Sequence, residues 1–345
     1  MNCNKLENRR RGLISFPGRR VLLAFFLCLL GLCFVVIGKS QSSAISPGNQ
    51  KTERSPSSSV PPGKIVFSAL KDGNWDLWLV NPDGTNPVQL TKTPFDERSP
   101  SVSHDGNRIL YSTSEGNLRL MDANGHSDKK VLLPDGYYGN PVWVDETKIL
   151  YVSYIFKADK YEVKDDSSLL TFDLERESSR SNPYVLIDQT GMQDWPSIFP
   201  QGELIYSSSI QGPNQKVTQE IWKYDPITQN GEQLTLLKAN SIQPRWSPDG
   251  RGIVFASNKT GNFEIWKYDP TAGKAIMLTD TDFTNKAPCW SPDGKEIVFI
   301  SDRRGQSEIW RMSSNGEVLG AISPFKEKIE CQYPFWFADH IEKAP

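Results

Sequence analysis

The chain has 345 residues, of which 37% are hydrophobic and 23% are charged, and its formal net charge is −2 at pH 7. This near balance hides an asymmetry, because residues 1–38 hold six basic residues against one acidic residue, whereas the remainder holds 33 basic against 40 acidic residues. A mildly acidic body argues against a nucleic-acid partner, since that affinity depends on Lys and Arg neutralising phosphates.

An apolar segment at residues 21–38 follows a basic N-terminus at residues 1–20. The segment is uncharged and, at about 18 residues, is just long enough to cross a bilayer as one helix. The Arg clusters before it should stay in the cytoplasm, which places the rest of the chain outside. We therefore predict an uncleaved signal anchor in the inner (plasma) membrane and a periplasmic or other extracytoplasmic body. Secretion after signal cleavage is the alternative.

Residues 39–62 are rich in Ser, Pro and Gln and contain almost no large apolar side chains. Such a segment buries too little surface to fold, so it is predicted to be a disordered linker.

One phrase recurs after the linker. It reads Pro-x-Trp-Ser-Pro-Asp-Gly at residues 244–250 and 288–294, and each copy is followed by a β-branched run and then by Glu-Ile-Trp. The alternation of apolar and polar residues predicts strands, and Pro-Asp-Gly is typical of tight turns. Each repeat is therefore predicted to be a four-stranded antiparallel unit, with strands a to d in chain order.

The repeat occurs six times. Strand b begins near Ile65, Ile109, Ile149, Leu204, Ile253 and Ile297. Strand a is predicted to begin at Pro100, Pro141, Pro196, Pro244, Pro288 and Pro334, because proline suits the first position of a strand. Two positions after these prolines stand Val102, Trp143, Ile198, Trp246, Trp290 and Trp336, which should pack between neighbouring units.

The predicted fold is an all-β, six-bladed β-propeller at residues 63–341, followed by a short tail at residues 342–345. The chain enters at a strand b and leaves after a strand a. The first blade therefore receives its strand a from residues 334–337, which closes the ring and leaves no open sheet edge.

This phrase resembles the WD-repeat-like motif of TolB-type propellers over residues 63–341. The resemblance implies a six-bladed propeller and a role in the cell envelope of the kind served by the Tol–Pal system. TolB carries a further domain before its propeller, and residues 39–62 do not suit that domain. We therefore expect a TolB-like propeller protein rather than TolB itself.

The mouth of the central channel is the predicted binding region, on the face built by the d-to-a and b-to-c links. Aromatic, amide and basic side chains there suit contact with a protein or a glycan. The predicted mouth residues are Arg98, Tyr138, Trp195, Gln243, Lys286 and Gln332. The alternative is that these residues only pack loop against loop.

The third blade has the longest b-to-c link, and long loops in compact domains are often functional. Its aromatic and charged residues Tyr154, Phe156 and Lys157 are the predicted site of partner-specific contact. The alternative is a solvated hairpin extension.

The sequence contains no convincing catalytic constellation. It lacks a Gly-x-Ser-x-Gly elbow, and its three histidines, His104 among them, are scattered. The recurring Glu220, Glu264 and Glu308 are interpreted as repeat structure. We therefore predict a non-catalytic binding or scaffold protein without a cofactor, which presents its mouth to a protein or envelope polymer. The alternative is an enzyme acting on a carbohydrate or another small substrate in the channel.

Cys289 and Cys331 are the two cysteines of the predicted propeller. Their strands should be neighbours around the channel, so a disulfide in an oxidising compartment would lock the ring. Adjacent inner strands are not always close enough for disulfide geometry, so two free thiols are the alternative.

Overall fold

Six four-stranded antiparallel sheets make up the part of the chain that the structure describes, as predicted. The computed structural model describes residues 62–158, 163–175, 182–199, 201–211, 217–322 and 324–339. The predicted N-terminus, membrane anchor, nearly all of the linker and the tail lie outside these residues. Within the described residues, no helix is long and apolar enough to span a membrane.

The strands follow the predicted a-to-d order in every blade. Blade 1 contains β1 (Lys64–Lys71), β2 (Asn74–Val80), β3 (Val88–Gln89) and β24 (Glu330–Phe337). Blade 2 contains β4 (Glu97–Val102), β5 (Arg108–Thr113), β6 (Leu118–Asp122) and β7 (Lys129–Lys130). Blade 3 contains β8 (Tyr137–Trp143), β9 (Lys148–Ala158), β10 (Val163–Asp173) and β11 (Tyr184–Ile187). Blade 4 contains β12 (Gln193–Ile198), β13 (Leu204–Gln211), β14 (Val217–Asp225) and β15 (Asn230–Gln233). Blade 5 contains β16 (Ser241–Trp246), β17 (Ile253–Ser257), β18 (Glu264–Asp269) and β19 (Lys274–Met277). Blade 6 contains β20 (Asn285–Trp290), β21 (Glu296–Ser301), β22 (Glu308–Ser313) and β23 (Val318–Ile322).

Blade 1 is completed by the C-terminal strand, which confirms the predicted closure. β24 pairs antiparallel with β1, and Lys64 lies opposite Phe337 at the start of this pairing. Gly63 precedes it with φ +120°, and a Cβ at Gly63 would lie 2.2 Å from the Phe337 carbonyl oxygen. Only glycine tolerates both this dihedral angle and this approach. The first and last strands of the propeller are therefore in close contact where Gly63 and Lys64 meet Phe337.

The hydrophobic core is divided into six clusters, and each lies between two neighbouring blades. Between blades 5 and 6, for example, Val254 and Ile265 belong to the same buried cluster as Trp290 and Phe299. The bulky residue two positions after each inner proline belongs to such a cluster or packs against one, as predicted. Burial of each large side chain contributes about 1.5–3 kcal/mol, so the blade interfaces hold the ring together.

Every inner strand has a β-bulge at its proline. In β16 the pairing with β17 shifts between Ile242 and Arg245, so Gln243 and Pro244 lie outside the regular register. The predicted position of the prolines at the first residue of each strand is wrong, because the inner strands begin three or four residues earlier. The physical reason is similar, since a bulge, like a strand start, does not need the N–H group that proline lacks.

The residue before each inner proline has a positive φ, between 45° and 57°. These residues are Ser99, Asn140, Trp195, Gln243, Ala287 and Tyr333. A non-glycine residue in this region costs on the order of 1 kcal/mol, and six such residues in equivalent places show that the blade architecture imposes the conformation.

Two of the recurring carboxylates of strand c, Glu220 and Glu264, are bonded into the repeat, as predicted, whereas Glu308 is half-buried and its Oε2 has no hydrogen-bond partner in the described residues. Glu220 is buried and accepts hydrogen bonds from the Thr235 hydroxyl (2.6 Å) and the Lys238 backbone N–H (2.7 Å). Glu264 is equally buried and accepts a hydrogen bond from the Asn285 side-chain amide (2.7 Å) in the next blade. The Glu220 carboxylate accepts hydrogen bonds from donors in the d-to-a link, and the Glu264 carboxylate accepts one from the next blade. These bonds hold the link and the successive blades together.

Candidate functional site

Two cavities of the described residues lie along the central channel, one on each side of the ring of inner prolines. The cavity at the mouth is about 20 Å³ and is lined by the residues of positive φ and the prolines that follow them. The second cavity is about 220 Å³ and is lined by residues that follow the prolines and by the a-to-b turns. We call these the mouth cavity and the turn-end cavity.

A hydrogen-bonded network from blades 2, 3 and 4 fills one side of the mouth. Asn140 Nδ2 donates to Asp194 Oδ1 (2.6 Å) and to the Tyr154 hydroxyl (3.1 Å). The Tyr154 hydroxyl and the Trp195 backbone N–H also donate to Asp194 Oδ1, at 3.1 and 2.7 Å. Ser99 Oγ donates to Asn140 Oδ1 (2.7 Å). These polar groups therefore satisfy one another.

Burial sets the ionisation of this network. It raises the pKa of Asp194 to about 6, although bonds from Asn140, Trp195 and Tyr154 oppose the shift. Burial also raises the pKa of Tyr154 well above its ordinary value, and the neighbouring Asp194 adds to that rise. Tyr154 is therefore a neutral hydrogen-bond donor at neutral pH.

Two aromatic rings meet across the mouth. Trp195 and Tyr333 stack with ring centroids 5.8 Å apart and an interplanar angle of 25°. They come from blades 4 and 1, which are opposite each other in a ring of six. The stack leaves space for about one water molecule in the mouth cavity.

The structure brings two of the predicted mouth residues, Trp195 and Gln243, to the mouth cavity. Gln243 Oε1 accepts a hydrogen bond from the Ala287 backbone N–H (2.8 Å), which joins blades 5 and 6. Arg98 lies beside the mouth and forms an ion pair with Asp96 (3.0 Å).

Two other predicted residues, Lys286 and Gln332, lie away from the mouth cavity. The Lys286 Nζ stands 4.3 Å from the ring centroid of Phe263 in the neighbouring blade. Gln332 is half-buried in β24, opposite Ser68.

Tyr138 is a correction to the predicted site, because it lies in the core. Its side chain is buried, its hydroxyl donates to the Pro134 carbonyl oxygen (2.7 Å), and its ring packs edge-on against Tyr151. Successive side chains of a strand point to opposite faces, so the neighbouring Tyr137 takes the outer position and contacts Tyr154 instead.

The long link of blade 3 is an extension of two strands. β9 and β10 have 11 residues each and remain paired as far as Ala158 opposite Val163. The backbones of Phe156 and Lys157 lie opposite Asp165 and Lys164, and their side chains are outside the described part of the structure. Tyr154, at the base of this hairpin, belongs to the mouth network.

Of the two possibilities for the cysteines, the structure has the free thiols, because Cys289 and Cys331 are both unpaired and buried. Cys289 follows its inner proline by one residue, whereas Cys331 precedes its own by three. Four residues of strand correspond to about 13 Å along the channel, which is too far for a disulfide. Cys289 Sγ instead accepts a hydrogen bond from the Trp336 backbone N–H (3.4 Å).

The turn-end cavity was not predicted. All six positions immediately after the inner prolines line it, namely Ser101, Val142, Ser197, Arg245, Cys289 and Phe335. Arg245 borders both cavities, and its Nη1 donates to the Pro196 carbonyl oxygen (3.2 Å). The exposed His104 stands at the rim, on the face opposite the predicted binding region. The sequence contained one indication of this site. Among the six residues that directly follow the inner prolines, Arg245 alone is charged.

Groups capable of metal binding are dispersed. Across the described ranges, no set of three or more His, Cys, Asp or Glu side chains is arranged to hold a metal ion.

Sequence comparisons relate the chain to TolB. Residues 214–339 match the family described as TolB beta propeller domain. The protein TolB homolog of Chlorobaculum tepidum is 29% identical over 110 residues, which cover 31% of this chain and 25% of that protein. The oligogalacturonide lyase of Pectobacterium atrosepticum is 24% identical over 212 residues, covering 56% of this chain and 54% of the lyase. The chain thus spans between a quarter and about half of these curated relatives.

Structural comparison gives the same fold. The crystal structure of TolB from Acinetobacter baumannii superposes with a TM-score of 0.67 and 19% identity, covering 80% of this chain and 67% of that one. At this identity the likeness concerns the fold alone. Together with the six closed blades and the repeat itself, these findings show that the chain carries a TolB-like six-bladed β-propeller.

Proposed function

We propose that this protein is a non-catalytic, extracytoplasmic binding protein that presents the loop face of its propeller to a protein or an envelope polymer. The loop face is the surface formed by the d-to-a and b-to-c links around the mouth. A rigid ring holds these links in fixed relative positions, which limits the entropy lost on binding.

The observation that carries this proposal is the closed mouth. The Trp195–Tyr333 stack and the Asp194 network leave a cavity of only about 20 Å³, far below the roughly 300–1,000 Å³ of typical small-molecule sites. The polar groups that a substrate would need already bond to one another. A partner approaching from this side would therefore contact a surface rather than enter a pocket.

Two features of the loop face suit such a partner. The β9–β10 hairpin is longer than the corresponding strands of the other blades, so it gives the face an asymmetric extension. Phe283, in the link before β20, has 42% of its surface exposed. Exposed aromatic side chains are enriched among residues that dominate binding energy at protein interfaces.

The location and the anchor are part of the same proposal. Its support is the apolar segment at residues 21–38 with Arg clusters before it, together with the likeness of the propeller to that of TolB. A function within the envelope, similar to that of the Tol–Pal system, would follow from this location.

Site-specific photo-crosslinking in intact cells tests the binding face. A photoreactive amino acid would replace Lys157 or Phe283 on the loop face and, as the matched control, the exposed Arg251 in an a-to-b turn on the other face. We expect a discrete crosslinked species from the first two positions and none from Arg251. Crosslinks from Arg251 alone, or from none of the three, would contradict the proposal.

A hairpin variant separates the extension from the rest of the face. Residues 156–165 would be replaced by Asn-Gly, because Ile155 and Asp166 are paired and a two-residue turn can join them. The crosslink from Phe283 should weaken if the hairpin contributes to the same partner. An unchanged yield would restrict the binding surface to the mouth rim.

Localisation has its own test. Alkaline phosphatase, which is active only outside the cytoplasm, would be fused after residue 62, and a second fusion would lack residues 21–38. We expect activity only from the first fusion, retained in the membrane fraction. Activity in the medium would favour cleavage and secretion, and equal inactivity would refute export.

A further inference from the structure

We propose that the turn-end cavity binds the carboxylate of a small organic acid with an apolar body, and that the guanidinium of Arg245 is the anchor for this carboxylate. This site lies at the opposite end of the channel from the loop face, so it does not depend on the proposed binding function.

Arg245 is an arginine in the centre of the molecule with few partners. Its contacts within the described residues are the Nη1 bond to the Pro196 carbonyl oxygen (3.2 Å) and the Phe335 ring, whose centroid lies 5.9 Å from the guanidinium carbon. No carboxylate in the described ranges forms an ion pair with it. A guanidinium has five N–H donors, only one of which is used in this bond, and Arg245 lines the turn-end cavity.

A buried charge without a counter-charge is unfavourable, because the interior does not replace the lost hydration. Arg245 is half-buried, and burial correspondingly lowers its pKa; the neighbouring Cys289 thiol opposes this shift, but no carboxylate does. An anion in the turn-end cavity would remove this penalty.

Arg311, which is buried whereas Arg245 is half-buried, shows what a purely structural role looks like in this fold. Arg311 Nε lies 2.7 Å from Glu296 Oε2, both side chains are almost fully buried, and Arg311 Nη1 donates to the Pro82 carbonyl oxygen (3.0 Å). Its charge is neutralised within the protein, and it joins blade 6 to blade 1. Arg245 has the corresponding carbonyl contact but lacks the carboxylate.

The walls around Arg245 are mainly apolar and aromatic. Phe199 and Trp246 pack with ring centroids 5.7 Å apart and border the cavity together with Phe335 and Trp336. Aromatic walls beside one charged donor are typical of sites that take an apolar ligand with a single polar group. Exposed residues at the rim, His104, Pro248 and Ala338, open this end to solvent.

Size and charge restrict the ligand. A volume of about 220 Å³ is below that of sites for drug-sized molecules, which indicates a small acid. The planar fork of a guanidinium matches a carboxylate in a bidentate arrangement. A single cation with aromatic walls suits a monoanion better than a strongly hydrated phosphate dianion.

The test uses the full-length protein in a non-ionic detergent, with benzoate as the probe and benzamide as its neutral isostere. Dissociation constants would be measured by ligand-observed NMR for the wild type, Arg245→Met, Arg245→Lys and the control Arg251→Met. Arg251 is an exposed arginine in the adjacent turn of the same blade. Circular dichroism would confirm that each variant is folded.

We expect the wild type and Arg251→Met to bind benzoate at least about tenfold more tightly than benzamide. Arg245→Met should lose about ten- to a hundredfold in benzoate affinity and leave benzamide binding within about twofold, since a charge-assisted pair is lost only with the anion. Arg245→Lys should fall between the two, because it retains the charge without the planar fork.

Three results would overturn the proposal. The first is no benzoate binding to the wild type up to about 50 mM, and the second is equal benzoate affinity in the wild type and Arg245→Met. The third is inorganic phosphate binding as tightly as benzoate with the same dependence on Arg245, which would replace the carboxylate by a general anion.

Discussion

The two ends of the central channel are built by the same six inner strands, yet they leave different amounts of room. At the mouth, residues that precede the inner prolines bond or stack with one another and leave about 20 Å³. At the turn end, residues that follow the prolines leave about 220 Å³ around a guanidinium without a carboxylate partner. The two sets are two residues apart along each strand, with the inner proline between them.

The difference shows how a repeated backbone acquires a site. Asp194 at the mouth accepts three hydrogen bonds from its neighbours, so its carboxylate already has its hydrogen-bond donors within the protein. The Arg245 guanidinium donates to a single carbonyl oxygen, so its other N–H groups remain available to a ligand. A polar residue in the channel is therefore a candidate ligand anchor only when the other blades do not supply its partner.

Removal of the closing strand should have the largest effect, because β24 supplies Tyr333 to the mouth and Phe335 to the turn end. Deletion of residues 332–345 exposes the edge of β1 and one blade interface. We expect it to remove most of a total stability of about 5–15 kcal/mol, measured by urea unfolding with circular dichroism. Deletion of residues 340–345 is the control. A cooperative transition at the wild-type midpoint in the longer deletion would contradict the closure.

Arg245 and Arg311 should respond differently to the same substitution. Arg311→Met leaves Glu296 buried without its partner and should cost about 3–5 kcal/mol. Arg245→Met removes an uncompensated charge, so the change in stability should be near zero or favourable. Urea unfolding of both variants measures the difference. Equal losses would mean that Arg245 has an internal partner and would remove the contrast between the two ends.

The ionisation of Asp194 predicts how stability depends on pH. Its pKa is about 6 in the folded protein against an ordinary value of 3.8, so the folded state binds more protons between about pH 4 and 6. Stability should therefore fall as pH rises through this window, and the full penalty should be present above about pH 7.

Asp194→Asn tests this directly, because the three hydrogen bonds to Asp194 all go to Oδ1 and an amide oxygen can accept them. We expect the variant to be about 1–3 kcal/mol more stable than the wild type at pH 8 and no more stable at pH 4. Burial also raises the pKa of Glu97, to about 7, but Glu97 is present in both proteins and cancels in the difference. A constant difference from pH 4 to 8 would contradict the assignment.

The smallest expected effect concerns the aromatic stack that closes the mouth. A double-mutant cycle with Trp195→Ala and Tyr333→Ala should give a coupling free energy of about 0.5–1.5 kcal/mol. Thermal or urea unfolding of the four proteins supplies the measurement. A coupling indistinguishable from zero would mean that the two rings close the mouth without stabilising it.

Much of the architecture was predictable because each repeat carries the same local chemistry. The positions of Trp143, Trp290 and Trp336 predicted the blade interfaces. The position of Pro334 predicted the strand that closes the ring. The bulges were missed because a proline at a strand start and a proline at a bulge obey the same rule.

The site was harder to predict, because it depends on distances across the ring. Tyr138 and Tyr137 are adjacent in sequence, and only the register of β8 decides which one points outward. Cys289 and Cys331 lie on neighbouring strands at different heights in the channel. Their separation becomes clear only when each position is measured from the proline of its own strand. Arg245 occupies the x position of the Pro-x-Trp phrase, and its importance comes from the residues that the other five blades place around it.

The pairing of β24 with β1 also places the first and last described residues of the propeller on the same face of the ring. Lys64 and Phe337 lie opposite each other where the other blades have an a-to-b turn, so the described chain enters and leaves the ring at the turn end. The loop face carries neither point of entry nor point of exit. Attachment of the ring to a solid support through residue 62 or residue 339 would therefore orient every molecule alike, with the hairpin of blade 3 facing the solution.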